Sequence, residues 1–223
     1  MEDNSTTLGE KKKFYHKHKS LLKDKDFLES LGLSILFLIV GLVSTFFAII
    51  YATDSASRPV TDIILSNIPV FNLDWAFVYG PVIFWVIIAV YLLVFDPKKI
   101  PFSLKAISLF LVIRSISISL THIAPFPTHA QIDISGFFGV FTNGSDLFFS
   151  SHTGMPFLMA LILWDNKIMK YFSVIASIFF GAVVLMTHLH YSIDVFAAFF
   201  ITYSIYVLGR KWFKKDVLIG KVV

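Results

Sequence analysis

The sequence predicts an all-α integral membrane protein, a six-transmembrane-helix bundle with both termini in the cytosol. Three observations carry that prediction. The 223 residues are 56% hydrophobic and 15% charged, with a mean hydropathy of +0.75, too apolar for a soluble domain. Six apolar stretches recur at about 20 residues each, the length that crosses a bilayer as a helix with its backbone bonded internally. The 19 lysines and arginines, Arg58 and Arg114 excepted, fall in the N-terminal tail, at Lys98, Lys99 and Lys105, in 165–170, and after the last apolar run. Every second connection is therefore basic, and basic connections stay cytosolic.

Residues 1–26 are polar and lysine-rich without apolar periodicity, and read as a basic cytosolic tail. The run 31–52 is too long for a signal-peptide core and lacks a cleavage pattern, so it reads as an uncleaved anchor. Segment 54–74, with Pro59 and Pro69, is expected to be an outer loop carrying a short interfacial helix over 61–67. Trp75 opens the second span, 76–95, as an interfacial aromatic does. After Asp96-Pro97-Lys98-Lys99 comes the third span, 104–122. Its Ser115, Ser117 and Ser119 alternate with isoleucine as a strand would, but the flanking apolar length favours helix. A second outer loop, rich in proline, glycine and phenylalanine, covers 123–146. Spans four, five and six follow at 147–164, 171–188 and 192–209, with 165–170 a short turn. The membrane domain is thus 27–210, and 211–223 is a second basic tail.

A net charge of +4 and a pI near 9.2 raise nucleic acid as a partner, but the lysines cluster at span ends and the membrane is the expected partner instead. The absence of cysteine excludes disulfides, thiolate metal sites and cysteine nucleophiles.

With a cytosolic N terminus, spans three and five run outward and spans four and six run inward. Arg114 then lies about 10 Å and His152 about 7 Å below the outer surface, at 1.5 Å per residue. His190 and Asp194 flank the outer turn between spans five and six, so four polar residues distant in sequence share one slab. Each has a structural alternative: Arg114 as a snorkelling or paired cation, His152 as a helix–helix hydrogen bonder, His190–Asp194 as an i,i+4 helix pair. Together they point to a site on the extracytoplasmic or lumenal side of a plasma, inner or endomembrane. On a continuous helix His190 and Asp194 share a face while His188 points about 200° away from His190. His188, His122 and His129 accordingly read as interfacial polar residues.

The chemistry that fits this set is a phosphate ester's. An arginine fork binds a tetrahedral anion, and Ser150, Ser151 and the N–H groups of a helix start add donors. A neutral histidine held by an aspartate can attack phosphorus while a second protonates the leaving oxygen, a transfer that needs no metal or other cofactor. A two-histidine, one-carboxylate metal set of His188, His190 and Asp194 is the competing reading, but His188 faces away on a helix. A serine hydrolase using Ser150 or Ser151 lacks the strand–turn–helix nucleophile context. A non-catalytic lipid-binding or proton-relay protein is the alternative of another class.

Residues 144–153, Gly-Ser-Asp-Leu-Phe-Phe-Ser-Ser-His-Thr, resemble the G-D-x-x-[FY]-S-G-H-T signature of sphingomyelin synthases, with an inserted serine after the glycine. His190-Tyr191-Ser192-Ile193-Asp194-Val195 resembles that family's H-Y-[ST]-x-D-V signature. Arg114 through Pro125-Phe126-Pro127 is similar to its third helix and P-x-P turn. Pro59, Asp62 and Trp75-Ala76-Phe77 are similar to its first outer loop and second helix. The likeness runs from about Pro59 to Thr202 and implies the wider type-2 phosphatidic acid phosphatase (PAP2) superfamily, with its six-helix core and phosphohistidine chemistry. It implies His190 as nucleophile, Asp194 as its support, and His152 as general acid and then base. The implied partners are a phospholipid donor and a lipid-alcohol acceptor, ceramide or diacylglycerol, or water for the superfamily's phosphatases. Three features depart from the patterns. Ser151 replaces the glycine before His152, Val184 stands where the phosphatases carry arginine, and their lysine–arginine–proline motif is absent.

Overall fold

The computed structural model describes residues 19–130 and 147–222. Residues 1–18 of the expected tail and 131–146 of the second outer loop, including Gly144, Ser145 and Asp146 of the motif, lie outside the described residues. The described chain is helical: α1 Lys25–Asp54, α2 Asp74–Val94, a 3-10 turn Pro97–Lys99, α3 Ile100–Leu120, α4 Ser151–Ile162, α5 Lys167–Met186, α6 Ser192–Trp212 and α7 Lys214–Gly220. Five helices are long and apolar enough to cross a membrane: α1, α2, α3 with its leading 3-10 turn, α5 and α6. On α1 and α2 large apolar side chains are exposed along much of the length, among them Leu36, Ile39 and Val43 on the first and Val82, Val86 and Val90 on the second. Membrane lipid is the solvent that such faces require.

Local chemistry sets the helix starts. The Asp24 carboxylate accepts from the Asp26 and Phe27 N–H groups at α1, and the Asn166 side chain accepts from the Met169 N–H at α5. Pro101 occupies the first turn of α3, where a missing N–H costs nothing. The fourth apolar stretch behaves differently from the expected 147–164 span. Ser150 caps it, its hydroxyl accepting from the Thr153 N–H, so α4 has 12 residues and rises about 18 Å. Ahead of it the chain is not helical, with Phe148 at φ 108° and Leu147 and Phe149 buried on either side. Short as it is, α4 is central: Leu158, Met159, Ala160 and Ile162 are all inaccessible to solvent.

α4 packs against α5 and α6, and α1 along α3. Close approach of α4 to α3 and α6 needs Gly154, where a Cβ would sit 2.7 Å from both Phe110 and the Thr202 hydroxyl. The interfacial helix expected over 61–67 is instead a series of turns held by Asp62, whose Oδ1 accepts from the Ile64 and Leu65 N–H groups at 2.8 and 3.1 Å. The C-terminal tail is also more than a solvated basic segment. Its α7 brings buried Asp216 to Lys105 (2.7 Å) and Ser30, while Lys215 reaches Asp26 and Glu29. Nearby, buried Lys99 pairs with Asp96 (3.4 Å) and Asp165.

Candidate active site

The turn expected between spans five and six is present and begins two residues earlier than expected, so His190 and Asp194 do not lie on one continuous helix. α5 stops at Met186 and α6 starts at Ser192, leaving Thr187–Tyr191 as a turn in which His188 adopts φ 55°. The Thr187 hydroxyl donates back to the Val183 carbonyl, and the Leu189 N–H reaches the Val184 carbonyl, which closes the end of α5. Asp194 is the third residue of α6, and its Oδ2 accepts from the Tyr191 N–H at 3.0 Å and faces His190 Nδ1 at 3.3 Å. His190 and Asp194 therefore meet through a helix cap rather than along a helix face.

That pairing has a chemical consequence. An ionised carboxylate only accepts, so the bond assigns the proton to Nδ1 of His190 and leaves the lone pair on Nε2. Asp194 is fully buried in the first turn of α6, where the helix dipole favours its charge, and His190 is 5% exposed. Asp194 Oδ1 has no hydrogen-bond partner among the described residues.

A chain of bonds brings the other expected residues to this pair. Arg114, buried on α3, donates from Nε to the Phe149 carbonyl at 3.1 Å. The next residue, Ser150, donates its N–H to the Asp194 carbonyl at 3.1 Å. Two residues on, in the first turn of α4, His152 lies face to face with Phe77 of α2, ring centroids 4.2 Å apart and planes 23° apart. Pro156 has no N–H for the His152 carbonyl, so the regular bond one turn below the imidazole is missing. Ser150 is buried and already accepts the Thr153 N–H, which leaves its hydroxyl hydrogen to donate. Ser151 lines a cavity beside His152.

His188, expected at the interface, is buried at 2% exposure, with Nδ1 2.7 Å from the Thr128 hydroxyl. Burial holds its pKa below the ordinary histidine value, partly opposed by the nearby Ile68 backbone and by the Asp62 charge. With His188 turned to Thr128, no group of three or more His, Asp or Glu side chains is placed to hold a metal ion among the described residues. His122 is exposed, edge-on to Tyr51, and His129 Nδ1 faces the Phe126 carbonyl.

Two anchors of the turn were not singled out as site residues by their sequence. The Tyr191 hydroxyl donates to the Ala124 carbonyl (2.9 Å) and accepts the Val60 N–H (3.2 Å), joining both outer loops beside His190. Asp62 Oδ2 accepts the Ser192 N–H at 2.7 Å, fastening the first loop to the start of α6. Burial alone would raise the Asp62 pKa, but the Ser192, Leu65 and Ile64 donors hold it below the ordinary carboxylate value. The signal available was position: Tyr191 lies inside the histidine motif, and Asp62 is the one acid between Asp54 and Asp74.

Residues 144–212 match the family described as PAP2 superfamily C-terminal, a segment that contains α4, α5 and α6 with His152, His190 and Asp194 but not Arg114. No curated protein and no solved structure matches the chain. The family match supports the PAP2 superfamily and an enzyme of the lipid phosphatase or phosphotransferase type.

Proposed function

We propose that the protein transfers a phospho-head-group from a phospholipid to a lipid alcohol, ceramide or diacylglycerol, through a phosphohistidine. The observation that carries the reading is the bonded chain from Arg114 through Phe149 and Ser150 to Asp194 and His190, with His152 in the adjoining helical turn. In this reading Arg114 and the Ser150 and Ser151 hydroxyls hold the phosphate oxygens. His190 Nε2 attacks phosphorus, a P–N bond forms, and the P–O bond to the diacylglycerol breaks. The departing oxygen takes its proton from His152. His152, now neutral, removes the proton from the acceptor hydroxyl, whose oxygen attacks phosphorus and restores His190. Asp194 keeps Nδ1 protonated and balances the positive charge that develops on the ring.

We also place α4 as the fourth of six spans, with both termini cytosolic and the His190 turn on the extracytoplasmic or lumenal side. The distribution of lysines supports that orientation.

The test is the purified protein in vesicles containing head-group-labelled phosphatidylcholine with ceramide or diacylglycerol. Label in a new lipid is expected. Label in water would make the protein a hydrolase, and label in neither, from folded protein, would remove both enzyme readings. A labelled histidine adduct trapped by rapid quench, and lost in His190→Ala, tests the intermediate.

A further inference from the structure

Two cavities lie end to end along one face of α2. The upper, of about 110 Å³, is bounded by Pro81, Phe84 and Trp85 of α2, His152 and Pro156 of α4, and Phe180 of α5. The lower, of about 170 Å³, is bounded by Trp85, Ala89 and Leu93 of α2 and by Ser103, Leu104 and Ile107 of α3. Trp85 is the wall they share.

Their polarity is uneven. Ser151 and His152 supply the polar end of the upper cavity, and below them the walls are apolar. Ser103 is no exception, because its hydroxyl donates to the Lys99 carbonyl at 2.9 Å and asks nothing of a ligand. The gap follows from how α2 is held. Near its outer end it touches α5 at Gly80, where a Cβ would sit 2.6 Å from the Phe180 ring, and at its other end it meets the Pro97–Lys99 turn. Between those two points it stands off α3. From Pro81 to Leu93 the helix rises about 18 Å. One leaflet contributes about half of a hydrocarbon core of about 30 Å, so the two lengths correspond.

We infer that the two cavities form one groove for a hydrocarbon chain of the lipid substrate, running from His152 to Leu93, with Trp85 setting how far the chain extends. The inference rests on the phosphoryl reading of His152 for its polar end. An extended apolar chain whose phosphate is anchored at the imidazole is the occupant that matches a cleft polar at one end and apolar over the rest. Trp85 then acts on chain length without touching the reacting atoms.

Two measurements test it together. In the first, kcat/KM is compared for stearoyl and hexanoyl phospholipids with one head group. Ala89→Trp, which fills the lower cavity, is expected to lower the stearoyl-to-hexanoyl ratio by about tenfold, equivalent to about two methylenes left unburied. Trp85→Ala is expected to raise it, and Val90→Trp, on the membrane-facing side of α2, to leave it unchanged. An unaltered ratio in Ala89→Trp overturns the groove. In the second, a stearoyl phospholipid with a diazirine at the terminal carbon is irradiated with the unaltered protein and the labelled peptides are mapped. Label within 93–107, lost in Ala89→Trp, is the expected result; label confined to Val82, Val86 and Val90 overturns the groove. The second measurement reads the groove without turnover. Label in 93–107 with no product of any chain length would sink the enzyme reading and leave the groove standing.

Discussion

The two ends of the bundle both bury charge, and among the described residues they hold it differently. At the end formed by α7 and the Pro97–Lys99 turn, each buried ion has an opposite ion: Lys105 has Asp216, and Lys99 has Asp96 and Asp165. At the His190 end, the bonds among the described residues include several to backbone groups and one to an imidazole. Arg114 Nε faces a carbonyl, Asp62 collects three backbone N–H groups, and Asp194 collects one N–H and an imidazole. Ion pairs cancel fields locally and hold helices in place. A carboxylate answered by a titratable ring, beside an arginine, retains capacity for a charged substrate. The first end reads as a fastening, and the second carries the residues proposed for phosphoryl transfer.

Substitutions at the two ends should therefore separate activity from stability, and the largest effect belongs to the His190 end. His190→Ala is expected to lower kcat by at least about 10⁴-fold while the thermal midpoint of the detergent-solubilised protein changes little. Asp194→Asn is expected to cost about 10²- to 10⁴-fold, through the wrong imidazole tautomer. Substantial activity in either would erase the contrast. At the opposite end, Lys105→Met leaves Asp216 buried without its cation and is expected to destabilise the fold by about 3–5 kcal/mol, with kcat of the folded fraction retained. The double variant Lys105→Met, Asp216→Leu should recover most of that loss, which would identify the pair as a fastening.

Asp62→Ala strips an acceptor from three backbone donors and is expected to cost about 1–3 kcal/mol of stability. Its pH dependence has a definite sign. The folded-state pKa is depressed, so the contribution is complete above the unfolded value of about 3.9 and is lost as pH falls through the lower folded value. The gap between the native protein and Asp62→Ala should narrow in thermal melts as pH falls below the unfolded value of about 3.9, and a constant gap would refute the assignment. The smallest effect is expected from Thr128→Val, about 1 kcal/mol for the lost bond to His188.

The contrast between the ends also marks what could be read from sequence. The long apolar runs announced α1, α2, α3, α5 and α6 because lipid imposes length and composition on whatever crosses it. His152, His190 and Asp194 could be singled out as candidates because charged and imidazole groups stand out against apolar neighbours. The break between spans five and six was legible, but its start at Thr187 was not, because His188 takes a left-handed backbone conformation that glycine usually marks. Ser150 is a recognisable cap residue, yet the apolar residues before it concealed the late start of α4. Lys105 with Asp216, 111 residues apart, and Asp62 with Ser192, 130 apart, carry no local period at all. Pairings of that range exist only in the folded chain.

The bond from the Ser150 N–H to the Asp194 carbonyl uses atoms that every residue but proline possesses. Short of a proline at position 150, substitution leaves them in place, so the tie between the starts of α4 and α6 does not depend on which two side chains stand there. The lining around the two histidines is then free to drift, one residue at a time, while the tie between the helix starts persists. On the proposed transferase reading, such a frame lets lipid preference change while the histidine–aspartate pairing stays in place.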